Sequence, residues 1–263
     1  MLKKRLIPCM LLREGHLVQS IGFKEYLILG KPRFTIERFI DWDVDEIIFL
    51  DISATKENRG PDLEIISETA RGCFVPLTVG GGIRTLKDIR NVLKTGADKV
   101  SINTEAIRKP AFVTESSDVF GSQCIVISMD VKTNEDGEHE VFLDSGKKPT
   151  DRDPVEWAKE IEELGGGEIF LTSIDRDGTR EGYDIDLIKK VSDSVGIPVI
   201  ACGGAGKMDD FPECILKGHA SAASAANIFQ HGEHSTLRAK AAMKLAGVDV
   251  RISTAATYLE HIY

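Results

Sequence analysis

Residues 46–104 recur at residues 168–226 with a constant offset of 122 positions and no gap. Glu46-Ile-Ile-Phe-Leu-Asp51 answers to Glu168-Ile-Phe-Leu-Thr-Ser173, and Asp62 answers to Asp184. Val75-Pro76 falls on Ile197-Pro198, Gly81-Gly82 on Gly203-Gly204, and Gly96 on Gly218. A repeat covering half a chain means one architecture built twice, so the fold has to divide into two equal parts. Positions at which the two parts differ become the candidates for chemistry.

Within each half, short β-branched runs alternate with longer amphipathic stretches, the pattern of βα units and a parallel sheet. The apolar runs predict strands at 6–9, 47–50, 75–79, 99–102, 124–129, 169–171, 199–201 and 220–225. The last is rich in Ala and Ser and weak on propensity; its correspondence to 99–102 makes it a strand. Asp62 and Asp184 each precede an i, i+3, i+4 apolar face and are expected helix N-caps.

Eight βα units in two matching sets of four point to one closed (β/α)8 barrel over residues 1–247, with half-barrels of about 1–122 and 123–247. An open doubly wound sheet is the structural alternative, but it does not naturally produce equal halves. The longest turn-rich insertions, 13–32 and 133–153, follow the first and fifth strands and fall on the face where active-site loops collect. Residues 248–263 fit neither repeat and form an unassigned tail.

The formal net charge of −9 and pI near 5.3 argue against a nucleic-acid surface. Bound phosphate would depend on local backbone dipoles and not on a global positive field. No apolar run approaches the length of a spanning helix, and the basic start of the chain lacks the apolar core of a signal peptide, so no membrane association is expected. The 5 cysteines are scattered and include no CxxC, which suits reduced thiols in a cytoplasmic protein. The 6 histidines show no HxH or HExxH spacing, so no metal is expected, and no cofactor either.

Gly80-Gly81-Gly82 and Gly203-Gly204-Ala205-Gly206 follow the third and seventh strands. Glycine at that place lets backbone N–H groups approach a phosphate closely, and two such loops at symmetric positions suggest a ligand with phosphate at both ends. Simple turn chemistry is the plainer reading of either loop alone. Asp130 ends the fifth strand, where a carboxyl points into the barrel mouth and can act as general acid or base. Aligning Pro8-Cys-Met10-Leu11 with Ile127-Ser-Met129-Asp130 puts Leu11 at the matching position of the first half. Asp51, Asp175 and Asp177 are further mouth candidates. Helix capping or loop bracing accounts well for Asp51 and Asp175 and less well for Asp177. At the opposite end, Arg5, Glu46, Lys99 and Glu168 start four different strands and are expected to form a ring of alternating charge around the barrel floor.

These segments resemble the HisF family, the cyclase subunit of imidazole glycerol phosphate synthase. The match runs from Arg5 to about Phe229, and its strongest stretches are Phe49-Leu-Asp-Ile52, Val79-Gly-Gly-Gly-Ile83, Asp98-Lys-Val-Ser-Ile-Asn-Thr104, Phe120-Gly-Ser-Gln123, Leu171-Thr-Ser-Ile-Asp-Arg-Asp-Gly-Thr179 and Gly203-Gly-Ala-Gly-Lys207. The resemblance implies a lyase-type barrel bound through its floor to a separate HisH-type glutaminase, as a heterodimer. Ammonia released in the partner would pass through the barrel to a phosphorylated small molecule at the mouth. It implies an ammonia gate at Arg5, Glu46, Lys99 and Glu168. Gly81, Gly82, Asn103, Thr104, Thr172, Gly178, Gly203, Gly204 and Ala225 would bind substrate and its phosphates, and Asp130 and Asp177 would serve catalysis.

The family's second catalytic aspartate belongs at position 11, where this chain has Leu11, and a first-loop lysine is replaced by Gln19. A leucine cannot share acid–base work, and losing such a group typically costs on the order of 10²–10⁴ in rate. With Leu11-Leu-Arg-Glu-Gly15, this departure is similar to a paralogous branch, the AglZ-like acetamidino modification proteins of surface-polysaccharide synthesis. There a HisF-like barrel and a glutaminase deliver ammonia to a third protein, an amidotransferase, and a nucleotide sugar's acetamido group becomes acetamidino.

Overall fold

The structure is a computed structural model that describes residues 3–253. In chain order its strands are β1 (Arg5–Arg13), β2 (His16–Ile21), β3 (Glu25–Gly30), β4 (Ile47–Asp51), β5 (Leu77–Gly80), β6 (Lys99–Ile102), β7 (Ile125–Thr133), β8 (His139–Leu143), β9 (Lys148–Pro149), β10 (Glu168–Ser173), β11 (Val199–Cys202) and β12 (Ala222–Ala225). Parallel pairing runs β10–β11–β12–β1–β4–β5–β6–β7 and returns from β7 to β10, which closes an eight-stranded barrel with helices between the strands. All eight predicted strands are present, the Ala/Ser-rich last one included.

Alternation sorts the side chains of the eight barrel strands into two buried layers, one beneath the helices and one inside the barrel. Along β1, Leu6, Met10 and Leu12 join the large core beneath the helices, while Ile7, Cys9 and Leu11 join Ile48, Val126, Phe170, Ile200 and Ala222 inside the barrel. The repeat is visible in the helices as well. Leu63–Ala70 and Ile185–Ser192 lie 122 positions apart, and each starts from an aspartate. Asp62 Oδ1 accepts from Ile65 N and Asp184 Oδ1 from Leu187 N, both at 3.1 Å. Such caps satisfy otherwise orphaned donors and contribute about 1 kcal/mol each.

The two insertions read from sequence as turn-rich are in fact β-ribbons. β1 continues without a break into the antiparallel β2 and β3, and β7 into β8 and β9. The unexpected strands arise because Leu17, Val18, Val131 and Val141 are buried, while Gly15, Gly22 and Gly137, all at positive φ, form the turns that connect them. The tail also acquires a partial assignment. Lys4 and Val250 form a parallel bridge, and Lys4 N donates to Asp249 O at 2.8 Å. Asp45 accepts from the buried Lys240 at 2.7 Å and from Arg251 at 3.1 Å, tying residues near the chain end to the floor. The rest of the tail, 254–263, lies outside the described residues.

Candidate functional site at the two ends of the barrel

At the floor, the four charges at the strand starts form a closed ring. Arg5 reaches Glu46 at 2.8 Å and Glu168 at 3.0 Å, while Lys99 reaches Glu46 at 3.0 Å and Glu168 at 2.9 Å. Each carboxylate bridges both cations, and Thr78 Oγ1 donates to Glu46 at 2.8 Å. Burial alone would lower the Arg5 value; the carboxylates of Glu168 and Glu46 outweigh it and raise the value. The ring thus links the starts of β1, β6 and β10 and the residue before β4, with every charge matched.

Above it, β6 carries Lys99 and Ser101, and Asn103 follows just beyond its end, at two-residue spacing from the charged ring to the mouth. Ser101 Oγ is buried with no hydrogen-bond partner in the protein, and Ser101, Ser128, Cys9 and Cys202 line the lower part of the mouth cavity. An unpaired buried hydroxyl is costly, and its presence inside the barrel favours a small polar molecule at that level.

The mouth holds two adjoining open cavities whose walls share Asp177, Cys202 and Ala226. The first is lined by Gly81, Gly82, Asn103, Thr104, Asp130, Thr172 and Asp177, the second by Asp177, Gly178, Gly203, Gly204 and Ala225. The substrate and catalytic candidates from the sequence therefore all face this one region.

The glycine loops are shaped alike in the two halves. A Cβ on Gly81 (φ +104°) would lie 2.1 Å from the Asp51 carbonyl oxygen, and one on Gly203 (φ +98°) would lie 2.6 Å from that of Ser173, the residue 122 positions on from Asp51. Only glycine fits so close to the preceding strand end. Cations join the glycines, which sequence reasoning missed: Arg84 and Arg108 at the first cradle, and Arg180, Lys207 and Arg238 at the second. Lys207 stood in a quoted motif; Arg238 lies on the helix Ser235–Leu245, beyond the repeat, and left no local signal.

Asp130 sits on β7 and is 8% exposed. Asn103 Nδ2 donates to Asp130 Oδ2 at 3.0 Å, and Thr104 Oγ1 donates to Asn103 Oδ1 at 3.3 Å. Burial pushes the Asp130 carboxyl up to about 7; the Asn103 hydrogen bond opposes this and the nearby Asp177 adds to it. Asp177 is likewise raised by burial, against the donors Ser20, Phe23 and Gly22. Those donors revise the expectation that bracing accounts poorly for Asp177. Ser20 Oγ donates to Asp177 Oδ2 at 2.7 Å and Phe23 N at 3.4 Å, so this carboxylate anchors the β2–β3 hairpin as well as facing the cavity. Asp51 is held by Arg59 and accepts from Ser53 N and Ala54 N, and Asp175 accepts from Thr133 N, so both brace loops.

Strand pairing settles the equivalence of Leu11. Leu11 pairs with Leu50 and Asp130 pairs with Thr172, and Leu50 and Thr172 are 122 positions apart. Leu11 thus occupies in the first half the ring position that Asp130 occupies in the second, and it lines the same cavity. Gln19 Oε1 lies 2.8 Å from His231 Nε2 at the second cradle, a contact between hairpin and barrel that the sequence did not announce.

The chain is similar over most of its length to known proteins. The model of the family described as "Histidine biosynthesis protein" matches residues 5–235. A Vibrio vulnificus (strain YJ016) protein provisionally named imidazole glycerol phosphate synthase subunit hisF2 is 51% identical over 258 residues, covering 98% of this chain and 94% of that protein. The imidazole glycerol phosphate synthase subunit HisF of Alkaliphilus metalliredigens (strain QYMF) is 44% identical over 251 residues, covering 95% of this chain and 100% of that protein.

Proposed function

The chain belongs to the HisF family of histidine biosynthesis proteins, and from that membership we propose that it is the synthase subunit of a glutamine-dependent complex that passes ammonia through its barrel to an acceptor other than the histidine-pathway ribonucleotide. A HisH-type glutaminase docks at the floor. Ammonia crosses the Arg5–Glu46–Lys99–Glu168 ring when it opens and passes Ser101 to the mouth. Both carboxylates of the ring are already engaged by Arg5 and Lys99. Nothing there is left to hold an ammonium ion against the two cations, so the neutral molecule is the one that crosses. At the mouth it is handed to a third protein, an amidotransferase that turns the acetamido group of a nucleotide sugar into an acetamidino group for surface polysaccharide. That protein must activate the acetamido oxygen with a nucleoside triphosphate, so that ammonia's nitrogen adds to the carbon and the oxygen leaves bound to phosphorus.

The observation that carries this reading is Leu11. Cyclisation by the histidine-pathway route asks for two carboxyls on opposite sides of the mouth, and here one side presents a hydrocarbon. Asp130, near neutral in its titration, remains suited to giving or taking a single proton.

The second reading is a cyclase converting that ribonucleotide and ammonia to imidazole glycerol phosphate and the aminoimidazole carboxamide ribonucleotide that the lyase step releases. It is favoured by the two intact glycine cradles with their cations and by Asp177 in the same cavity as Asp130. Purified protein supplied with an ammonium salt and the ribonucleotide separates the two. The favoured reading expects turnover about 10²–10⁴ below that of a two-carboxyl enzyme; efficient formation of imidazole glycerol phosphate would overturn it.

A further inference from the structure

Among the described residues, the exposed large apolar side chains fall into two sets at opposite ends of the barrel. Phe74, Val119, Leu216 and Leu245 stand before strand starts or at helix C-termini, on the floor side, where the glutaminase is placed by the proposed function. Leu27, Ile28, Leu29 and Phe34 stand on β3 and in the first turn of the helix Pro32–Asp41, on the mouth side, and none of the described residues covers them.

β3 is a sheet edge: it pairs with β2 and, among the described residues, with nothing else. Soluble proteins blunt such edges with charge, proline or bulges. A bulge does fall at Leu29, where the register shifts opposite Leu17 and Val18, but Tyr26–Leu27–Ile28 carries no charge and no proline. Ile28 is 71% exposed. The hairpin is nonetheless held firmly, through Ser20 and Phe23 to Asp177, and Arg13 stacks on the Tyr26 ring at 4.5 Å. Phe23 and Tyr26 line the mouth cavity, so the apolar strip is continuous with the wall from which ammonia would leave.

Lys24 and Lys31 flank the strip, both exposed and neither ion-paired among the described residues, in a chain whose net charge is −9. With the exposed Glu25 set beside Lys24, the rim still carries about one net positive charge around an apolar centre. Ammonia released into open water near neutral pH is protonated and lost as a nucleophile, so an acceptor fed from this mouth has to seal against it.

We infer that the β2–β3 hairpin is the docking surface of the ammonia-accepting protein, which presents an apolar patch rimmed by carboxylates. This rests on the proposed transfer to a third protein. Ile28, on the strand face it shares with Tyr26, packs into that patch while Leu27 is gripped from the opposite face of the free edge; Lys24 and Lys31 pair with the rim, and the joint encloses the outlet beside Phe23 and Tyr26.

The test uses the purified chain–glutaminase complex, the sugar-modifying amidotransferase, its nucleotide sugar and a nucleoside triphosphate with magnesium to activate the acetamido oxygen. Binding of the amidotransferase is measured by calorimetry at two salt concentrations, and amidination is followed with amide-labelled glutamine. Ile28→Lys, and separately Leu27→Ser, should weaken binding at least tenfold and lower glutamine-driven amidination in step. Glutaminase activity and amidination driven by added ammonium chloride should not change. Lys24→Gln with Lys31→Gln should abolish the salt sensitivity. If the native complex drives amidination and the Ile28 and Leu27 variants do so equally well, the docking surface is wrong and the transfer reading stands. If the native complex neither binds the amidotransferase nor labels the sugar, both fall. A native dimer of this chain that Ile28→Lys dissociates, with amidination untouched, would assign the strip to self-association and also overturn the inference.

Discussion

Replacing Asp130 with asparagine tests the electrostatics of the mouth directly. In the folded protein the Asp130 carboxyl titrates near 7, against an ordinary value of 3.8. Its folded-state value is raised, so folding holds the proton more tightly than the unfolded chain does. The penalty is absent well below pH 3.8, grows as the pH rises, and is complete above about 7. At about 1.4 kcal/mol for each pH unit between the two values, the ionised carboxylate costs the native state about 4 kcal/mol at pH 8 and about 2 kcal/mol at pH 5. The substituted amide has the same shape and cannot ionise, and its oxygen can still accept from Asn103 Nδ2, now 3.0 Å from Asp130 Oδ2. Urea unfolding of Asp130→Asn and the native protein, followed by the fluorescence of the buried Trp157, should therefore show the variant more stable at both pH values, by about twice as much at pH 8. A carboxyl carbon resonance titrating near 7 should vanish in the variant. A stability difference that is the same at pH 5 and pH 8, or a variant less stable at pH 8, would refute the argument that burial has raised this carboxyl.

Leu11→Asp places a second carboxyl at the ring position matching Asp130, and should raise turnover of the histidine-pathway ribonucleotide by about 10²–10⁴ if the missing acid–base group is what limits it; a steady-state assay with ammonium salt reads this. Glu46→Gln leaves Arg5 and Lys99 short of a partner at the floor. It should destabilise by no more than about 3–5 kcal/mol, less to the extent that water reaches the partly exposed Arg5. It should also uncouple product formation from glutamine hydrolysis while ammonium-driven formation persists. Phe74→Lys, at an 83% exposed floor position, should weaken glutaminase binding at least tenfold by calorimetry without shifting the melting temperature.

Much of this was readable along the chain, because the repeat converts weak local signals into paired ones. Ala222–Ala225 has little strand propensity of its own, yet its partner at 99–102 identified it. Asp62 and Asp184 declared the same helix start twice. The glycines at 81–82 and 203–204 could be read because a Cβ has no room there in either half. The hairpins beyond β1 and β7 were not readable, since their strands exist through pairing with a barrel strand already in place and through burial against the mouth. Asp177 shows the same limit. Its neighbours in sequence suggest a loop carboxylate facing the mouth, whereas its donors Ser20 and Phe23 lie more than 150 positions away.

The amino-acid order by itself determined the two-fold barrel, the ends at which charge and glycine collect, and the substitution of a hydrocarbon for one carboxyl, because periodicity, caps and turn residues act over a few neighbours. Only the tertiary structure decided that the four floor charges close into one matched ring, that Leu11 and Asp130 hold equivalent places, that burial brings Asp130 to near-neutral titration, and that uncovered apolar surface gathers at both ends. Each of these depends on distances between residues far apart in the chain, and such distances exist only once the barrel has closed.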